Sequence, residues 1–115
     1  MSLHFKWLSD NIAAAGQITP AEVSAIASHG FKTIINNRPD GEGGPAQPAS
    51  DDIQQSATNA GIRYFHLPVV SGALNVDQVH QMRDILKSAP TPVFMFCRSG
   101  ARSEHLYLLA NSPSV

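Results

Sequence analysis

Cysteine is almost missing from this chain. Its 115 residues include one, Cys97, which excludes an internal disulfide and fits a reducing compartment. Thiol chemistry therefore rests on that residue, unless a partner supplies a second thiol. Charge of either sign is also scarce, at 15% of residues with a net of −1, so nothing steers the protein toward nucleic acid or an acidic membrane surface. No apolar run approaches the roughly 20 residues of a membrane span. The opening Met1-Ser2-Leu3-His4-Phe5-Lys6 lacks the charged-then-apolar layout of a signal peptide, and a cytoplasmic location is the default expectation. Metal-ligand clusters are lacking as well. His80 and Asp84 stand one helical turn apart without further ligands, so neither a metal nor a cofactor is expected.

What remains is an ordinary globular composition, long enough for one core and too short for two, so residues 1–115 are expected to form a single domain. A rhythm of helix, glycine and strand runs along it. Thr19-Pro20-Ala21-Glu22 reads as a helix start, with a Thr cap, Pro at the first position and Glu closing a capping box. Val23, Ile26 and Ala27 follow on one face, and Gly30 is placed to end the helix. Phe31–Asn36 is then a strand. Ser50-Asp51-Asp52 opens a second helix that Gly61 ends, and Tyr64–Leu67 is the next strand. A third helix starts at Asn75 with Gln78 as its capping partner; it is expected to bury Val76, Val79, Met82, Ile85 and Leu86 before Pro90 and Pro92 stop it.

Val93-Phe94-Met95-Phe96 is an unbroken apolar run, the pattern of a strand covered on both faces. Strands separated by single helices imply an α/β fold with a mostly parallel central sheet flanked by helices. Phe5–Leu8 and Asn11–Ala14 are short enough for a hairpin at the sheet edge. Asn37–Pro48, rich in Gly and Pro, is the one long loop. Trp7 and the phenylalanines are expected in the core, and His66 is expected to be a half-buried structural residue.

In such a sheet, ligands sit beyond the C-terminal strand ends, and Cys97 follows the most buried strand directly. After it come Arg98, Ser99, Gly100, Ala101, Arg102 and Ser103, then a helix to roughly Ala110. The N–H groups of this loop and the helix N-terminus form a cradle for a small anion, and Gly100 allows close approach. Arg102 adds a bidentate charge. The same groups depress a cysteine pKa, which makes Cys97 a thiolate nucleophile. Ser103 is placed to hydrogen-bond the sulfur and tune it as a leaving group. Arg98 points outward, toward substrate or solvent. Asn36, Asn37 and Arg38 end a neighbouring strand on the same rim. Either Arg38 is a second anion contact while the two Asn side chains pin the Cys97 loop, or the Asn-Arg-Pro-Asp-Gly run only builds a turn. His105, on the helix after the loop, is expected at the surface, where it can adjust the local electrostatics.

Three segments carry a family resemblance: Ile34–Glu42, His66-Leu67-Pro68-Val69, and Phe96–Ser103. Over nearly its whole length the chain resembles the phosphatase-like domain of the beta-lactamase-hydrolase-like proteins, a bacterial branch of the tyrosine- and dual-specificity-phosphatase fold. The resemblance implies that topology and a cysteine-based enzyme, a phosphatase in general and a sulfurtransferase in some members.

The sequence departs from the phosphatase pattern at three points. Four residues separate Cys97 from Arg102, one fewer than in protein tyrosine phosphatases and the spacing of rhodanese-type sulfurtransferases. The loop Pro68–Leu74, where those phosphatases carry a general acid, has none. Phe96 stands where they have a histidine. Asp40 and Glu42 are candidates for the missing acid, Asp40 first, against a plainer reading as solvated loop charges. These departures tilt the expected reaction toward sulfur transfer through a Cys97 persulfide, from a sulfane-sulfur donor to an acceptor thiol. Phosphate monoester hydrolysis through a phosphocysteine is the alternative, and a non-catalytic anion-binding module the third reading.

Overall fold

A computed structural model describes residues 3–113. In chain order the elements are β1 (Lys6–Trp7), β2 (Ile12–Ala15), a 3-10 turn (Pro20–Glu22) running into α1 (Val23–Ser28), β3 (Thr33–Asn36), α2 (Ser50–Asn59), β4 (Arg63–His66), α3 (Val76–Ser88), β5 (Val93–Phe96) and α4 (Ala101–Ala110). The sheet order is β1-β2-β5-β3-β4. Only the β1–β2 pair is antiparallel; β2, β5, β3 and β4 run parallel. The sheet is thus mostly parallel, as the rhythm implied.

The apolar run Val93–Phe96 is the sheet's middle strand, and its alternation explains the three layers. Val93 and Met95 face one side, joining Val79 and Met82 of α3 and Leu106 and Ala110 of α4. Phe94 and Phe96 face the other, with Val23 and Ile26 of α1 and Ile53 and Ala57 of α2. All four strand residues are fully buried. At about 25 cal/mol per Å2 of apolar surface, burial on this scale is the main force holding the layers together.

Local signals place the helices. The Thr19–Glu22 capping box forms, though its first turn is 3-10 before α1 proper begins. The Asn75–Gln78 box starts α3, with Asn75 Oδ1 accepting from Gln78 N at 2.9 Å.

Three side chains differ from expectation. Val76 is 57% exposed; as the first residue of α3 it precedes the packed stretch that begins at Val79. Trp7 is 48% exposed, because β1 is the edge strand, and its ring stacks on Phe31 with centroids 5.4 Å apart. His66 ends β4 exposed rather than half buried, and its Nε2 pairs with the Arg38 carbonyl at 3.0 Å.

The strand order fixes where chemistry can occur. β5 lies between β2 and β3, so Cys97 emerges flanked by Gly16-Gln17 on one side and Asn37-Arg38 on the other. Cys97 N donates to Ala15 O at 3.3 Å, Gln17 N to Arg98 O at 3.3 Å, and Asn37 N to Phe96 O at 2.8 Å. The three strand ends are therefore stitched together around the cysteine.

Candidate active site

Gly100 shapes the loop after Cys97. Its φ is +93°, and an added Cβ would lie 3.3 Å from the backbone of Ala15, so the turn requires glycine on both conformational and steric grounds. This turn aims amides back at the sulfur, and Gly100 N donates to Cys97 Sγ at 3.1 Å. Burial pushes the thiol pKa up, but hydrogen bonds from the backbone N–H groups of Ser103, Ser99, Gly100 and Arg102 outweigh it. The net shift is below the ordinary thiol value. Cys97 is 1% exposed and forms the floor of a cavity of about 860 Å3.

Arg102 stands on the cavity wall. Its Nη1 donates to Glu42 Oε2 at 2.9 Å and to Val69 O at 2.8 Å, and its Nη2 to Glu42 Oε1 at 2.9 Å. Of the five guanidinium N–H groups, Nε–H and one Nη2–H are not committed by these bonds. Glu42 Oε1 also accepts from Arg38 Nε at 2.9 Å. One carboxylate thus bridges two arginines and holds both side chains in place. Its pKa falls below the usual range through the Arg102 hydrogen bond first, against some burial, and then through Arg38. An acid held ionised in this way is a poor proton donor.

The other expected site residues divide. Arg98, Ser99 and Ala101 line the cavity, Arg98 and Ser99 in exposed positions. Arg38 lines it too, but is buried, with Nη1 donating to Gln17 Oε1 at 3.1 Å. Asn36 turns away; its Nδ2 donates to Tyr64 OH at 2.9 Å and its Oδ1 accepts from Arg38 N at 2.8 Å, so it builds the turn. Asn37 ties the loops together, with Oδ1 accepting from Ser103 Oγ at 2.8 Å and Nδ2 donating to Leu67 O at 3.0 Å. The Ser103 hydroxyl is therefore directed at Asn37, and it is the Ser103 backbone N–H that helps to lower the Cys97 pKa. Asp40 does not line the cavity. Its Oδ1 accepts from Ser50 N at 2.8 Å, which commits the carboxylate to the start of α2 instead of to a leaving group.

The sequence reading underrated several residues. Glu42, expected as a candidate acid or a solvated loop charge, is instead the arginine clamp; a lone carboxylate four residues after Arg38 in a Gly-rich loop is its available signal. Gln17 and the Val69 carbonyl had none. Ser71, Gly72 and His105 also line the cavity. Across that lining, three arginines face one carboxylate, so the site favours an anion. Among the described residues no cluster of three or more His, Cys, Asp or Glu suited to a metal occurs.

Known proteins resemble this chain in sequence and in fold. A Beta-lactamase hydrolase-like protein of Agrobacterium fabrum is 32% identical over 105 residues, which are 91% of this chain but 24% of that protein. The chain thus spans about a quarter of the length of the curated relatives it matches. A crystal structure from Neisseria meningitidis, of a protein provisionally assigned as a phosphatase, superposes with a TM-score of 0.80 at 35% identity, covering 88% of this chain and 71% of that one. A Shewanella putrefaciens structure, 20% identical, shares the fold with a TM-score of 0.78 over 92% of this chain and 66% of its own. The profile of one family, "Beta-lactamase hydrolase-like protein, phosphatase-like domain", matches residues 4–113. With its cysteine loop on a tyrosine-phosphatase-like fold, the chain belongs to that phosphatase-like domain family.

Proposed function

We propose that the domain is a cysteine-dependent phosphatase that hydrolyses phosphate monoesters through a phosphocysteine at Cys97. The observation that carries this reading is convergence on one sulfur. Gly100 N hydrogen-bonds Cys97 Sγ at 3.1 Å, the backbone N–H groups of Ser99, Arg102 and Ser103 join it in lowering the thiol pKa, and Glu42 and the Val69 carbonyl hold Arg102 in place. The thiolate attacks phosphorus, the P–O bond breaks, and the charge gathering on the equatorial oxygens is met by loop amides and the uncommitted edge of Arg102. Water then cleaves the S–P bond, releasing phosphate and restoring the thiolate. Family membership weighs on the same side, reversing the order in which the sequence alone ranked sulfur and phosphorus.

Sulfur transfer is the second reading, favoured by the short Cys97–Arg102 spacing and the acid-free Pro68–Leu74 loop. A thiolate or sulfite leaves without protonation, so a persulfide at Cys97 needs no acid. One pair of assays separates the two. The phosphatase reading expects orthovanadate-sensitive release of p-nitrophenol from its phosphate ester, abolished in Cys97→Ser. No such release, together with a one-sulfur mass gain at Cys97 from thiosulfate that cyanide removes, would overturn it in favour of sulfur transfer.

A further inference from the structure

The cavity holds the Cys97 sulfur, three arginines and a carboxylate, but the loop expected to carry the acid contributes only Ser71 and Gly72 to the lining. Something must protonate an ordinary alkoxide or phenoxide as it leaves. Arginine does not give up its proton in proteins. Glu42 is held ionised between Arg102 and Arg38, Asp40 is bound to α2, and Cys97 is the nucleophile.

One titratable side chain of the lining is left. His105 sits on α4 four residues after Ala101, so the two share a helix face, and both line the cavity that Cys97 floors. His105 and Ala101 are both exposed. The neighbouring Glu104 is paired with Lys6 at 3.1 Å. The titratable and charged groups around the cavity with His105 are Arg38, Glu42, Arg98, Arg102 and Cys97. Imidazole is the side chain suited to give and take a proton near neutrality.

We propose that His105 is the general acid of the phosphoryl transfer, serving from the helix after the cysteine loop in place of an acid on the Pro68–Leu74 loop. The proposal rests on the phosphatase reading. In the first step the Sγ–P bond forms, the P–O bond breaks, and the imidazolium passes its proton to the departing oxygen, giving an alcohol and a neutral imidazole. In the second step that imidazole takes a proton from the attacking water. The S–P bond then breaks, and phosphate, thiolate and imidazolium are regenerated.

The test is a leaving-group series. 2,4-Dinitrophenolate leaves without protonation, whereas phenolate needs it. His105→Ala should lower kcat/KM on phenyl phosphate by about 100-fold or more and on 2,4-dinitrophenyl phosphate by only a few-fold, with partial recovery on phenyl phosphate when free imidazole is added. His105→Gln, with the same pattern and unchanged orthovanadate inhibition, separates lost chemistry from lost folding. Equal losses on the two esters, or no loss on phenyl phosphate, would overturn the role of His105. Failure of the unsubstituted protein to cleave even 2,4-dinitrophenyl phosphate would instead overturn the phosphatase reading beneath it.

Discussion

Glu42 grips Arg102 end-on, with Oε2 to Nη1 and Oε1 to Nη2 both at 2.9 Å. The pairing turns a flexible arginine into a fixed one, and the same carboxylate reaches Arg38 at 2.9 Å. The long loop is thereby latched to the cysteine loop across the mouth of the cavity.

Glu42→Gln tests that latch. The substitution keeps the length of the side chain but removes its charge and one acceptor, and Arg102 keeps the Val69 carbonyl. The expected result is a fall of about ten- to a hundredfold in kcat/KM on an aryl phosphate, the scale of one charge-assisted hydrogen bond lost beside a reacting group. The latch has a defined pH window. Because Arg102 lowers the folded pKa of Glu42, its stabilising effect is whole above the ordinary carboxylate value of about 4.3. It is lost only as pH falls through the lower folded value. Acid unfolding followed by circular dichroism should accordingly be less steep for Glu42→Gln, and an unchanged slope would count against the latch.

A second expectation concerns the sulfur itself. Four amides outweigh burial and lower the Cys97 pKa, so iodoacetamide alkylation should inflect below the roughly 8.5 of a free thiol. The sign for stability is the same as for a depressed carboxylate. The contribution is whole above the unfolded thiol's value and is lost as pH falls through the folded one. Alkylation measured by mass against pH decides this, and an inflection at or above the free-thiol value would contradict the amide arrangement.

The sequence made β5, the capping boxes and the cysteine loop readable because each rests on residues close in the chain. Val93–Phe96 is apolar on both faces because both faces are covered. Asn75 and Gln78 reciprocate within one turn. The partners of Arg102 were not readable, since Glu42 and Val69 meet it only after β3, β4 and β5 are aligned. The same holds for Ser103. Its position beside Cys97 suggested a bond to the sulfur, but Asn37, distant in sequence and one strand away in space, takes the hydroxyl. Asp40 illustrates the converse: a carboxylate in a loop reads as a free acid until the backbone N–H of Ser50, at a helix start ten residues on, donates to it.

Asn37 should be the most costly polar residue to remove. It is fully buried, and its side chain alone satisfies Ser103 Oγ at 2.8 Å and Leu67 O at 3.0 Å. Truncation leaves both without that partner in the interior. Asn37→Ala is expected to cost about 2–4 kcal/mol in urea unfolding. Asn37→Asp should be no milder, because it sets a carboxylate oxygen against the Leu67 carbonyl and buries a charge. A loss under about 0.5 kcal/mol for Asn37→Ala would mean that the three loops hold together without it.

Gly100→Ala separates loop geometry from the chemistry of the nucleophile. At φ +93°, with Ala15 backbone atoms 3.3 Å from the new methyl, alanine either strains the turn or swings it outward. Strain of this kind costs about 1–3 kcal/mol. An outward swing moves the Gly100 amide away from the Cys97 sulfur, which it now reaches at 3.1 Å. The two consequences have separate readouts. Thermal unfolding should report the strain, and the Cys97 alkylation profile should shift toward higher pH as one of the four amides is withdrawn. Gly16→Ala is the matched control, since its methyl would meet Arg98 O at 3.1 Å and press on the same loop without altering the Gly100 turn. If Gly100→Ala lowers stability but leaves the alkylation profile where it was, the remaining amides suffice to hold the thiolate, and the Gly100 turn serves packing against Ala15 alone.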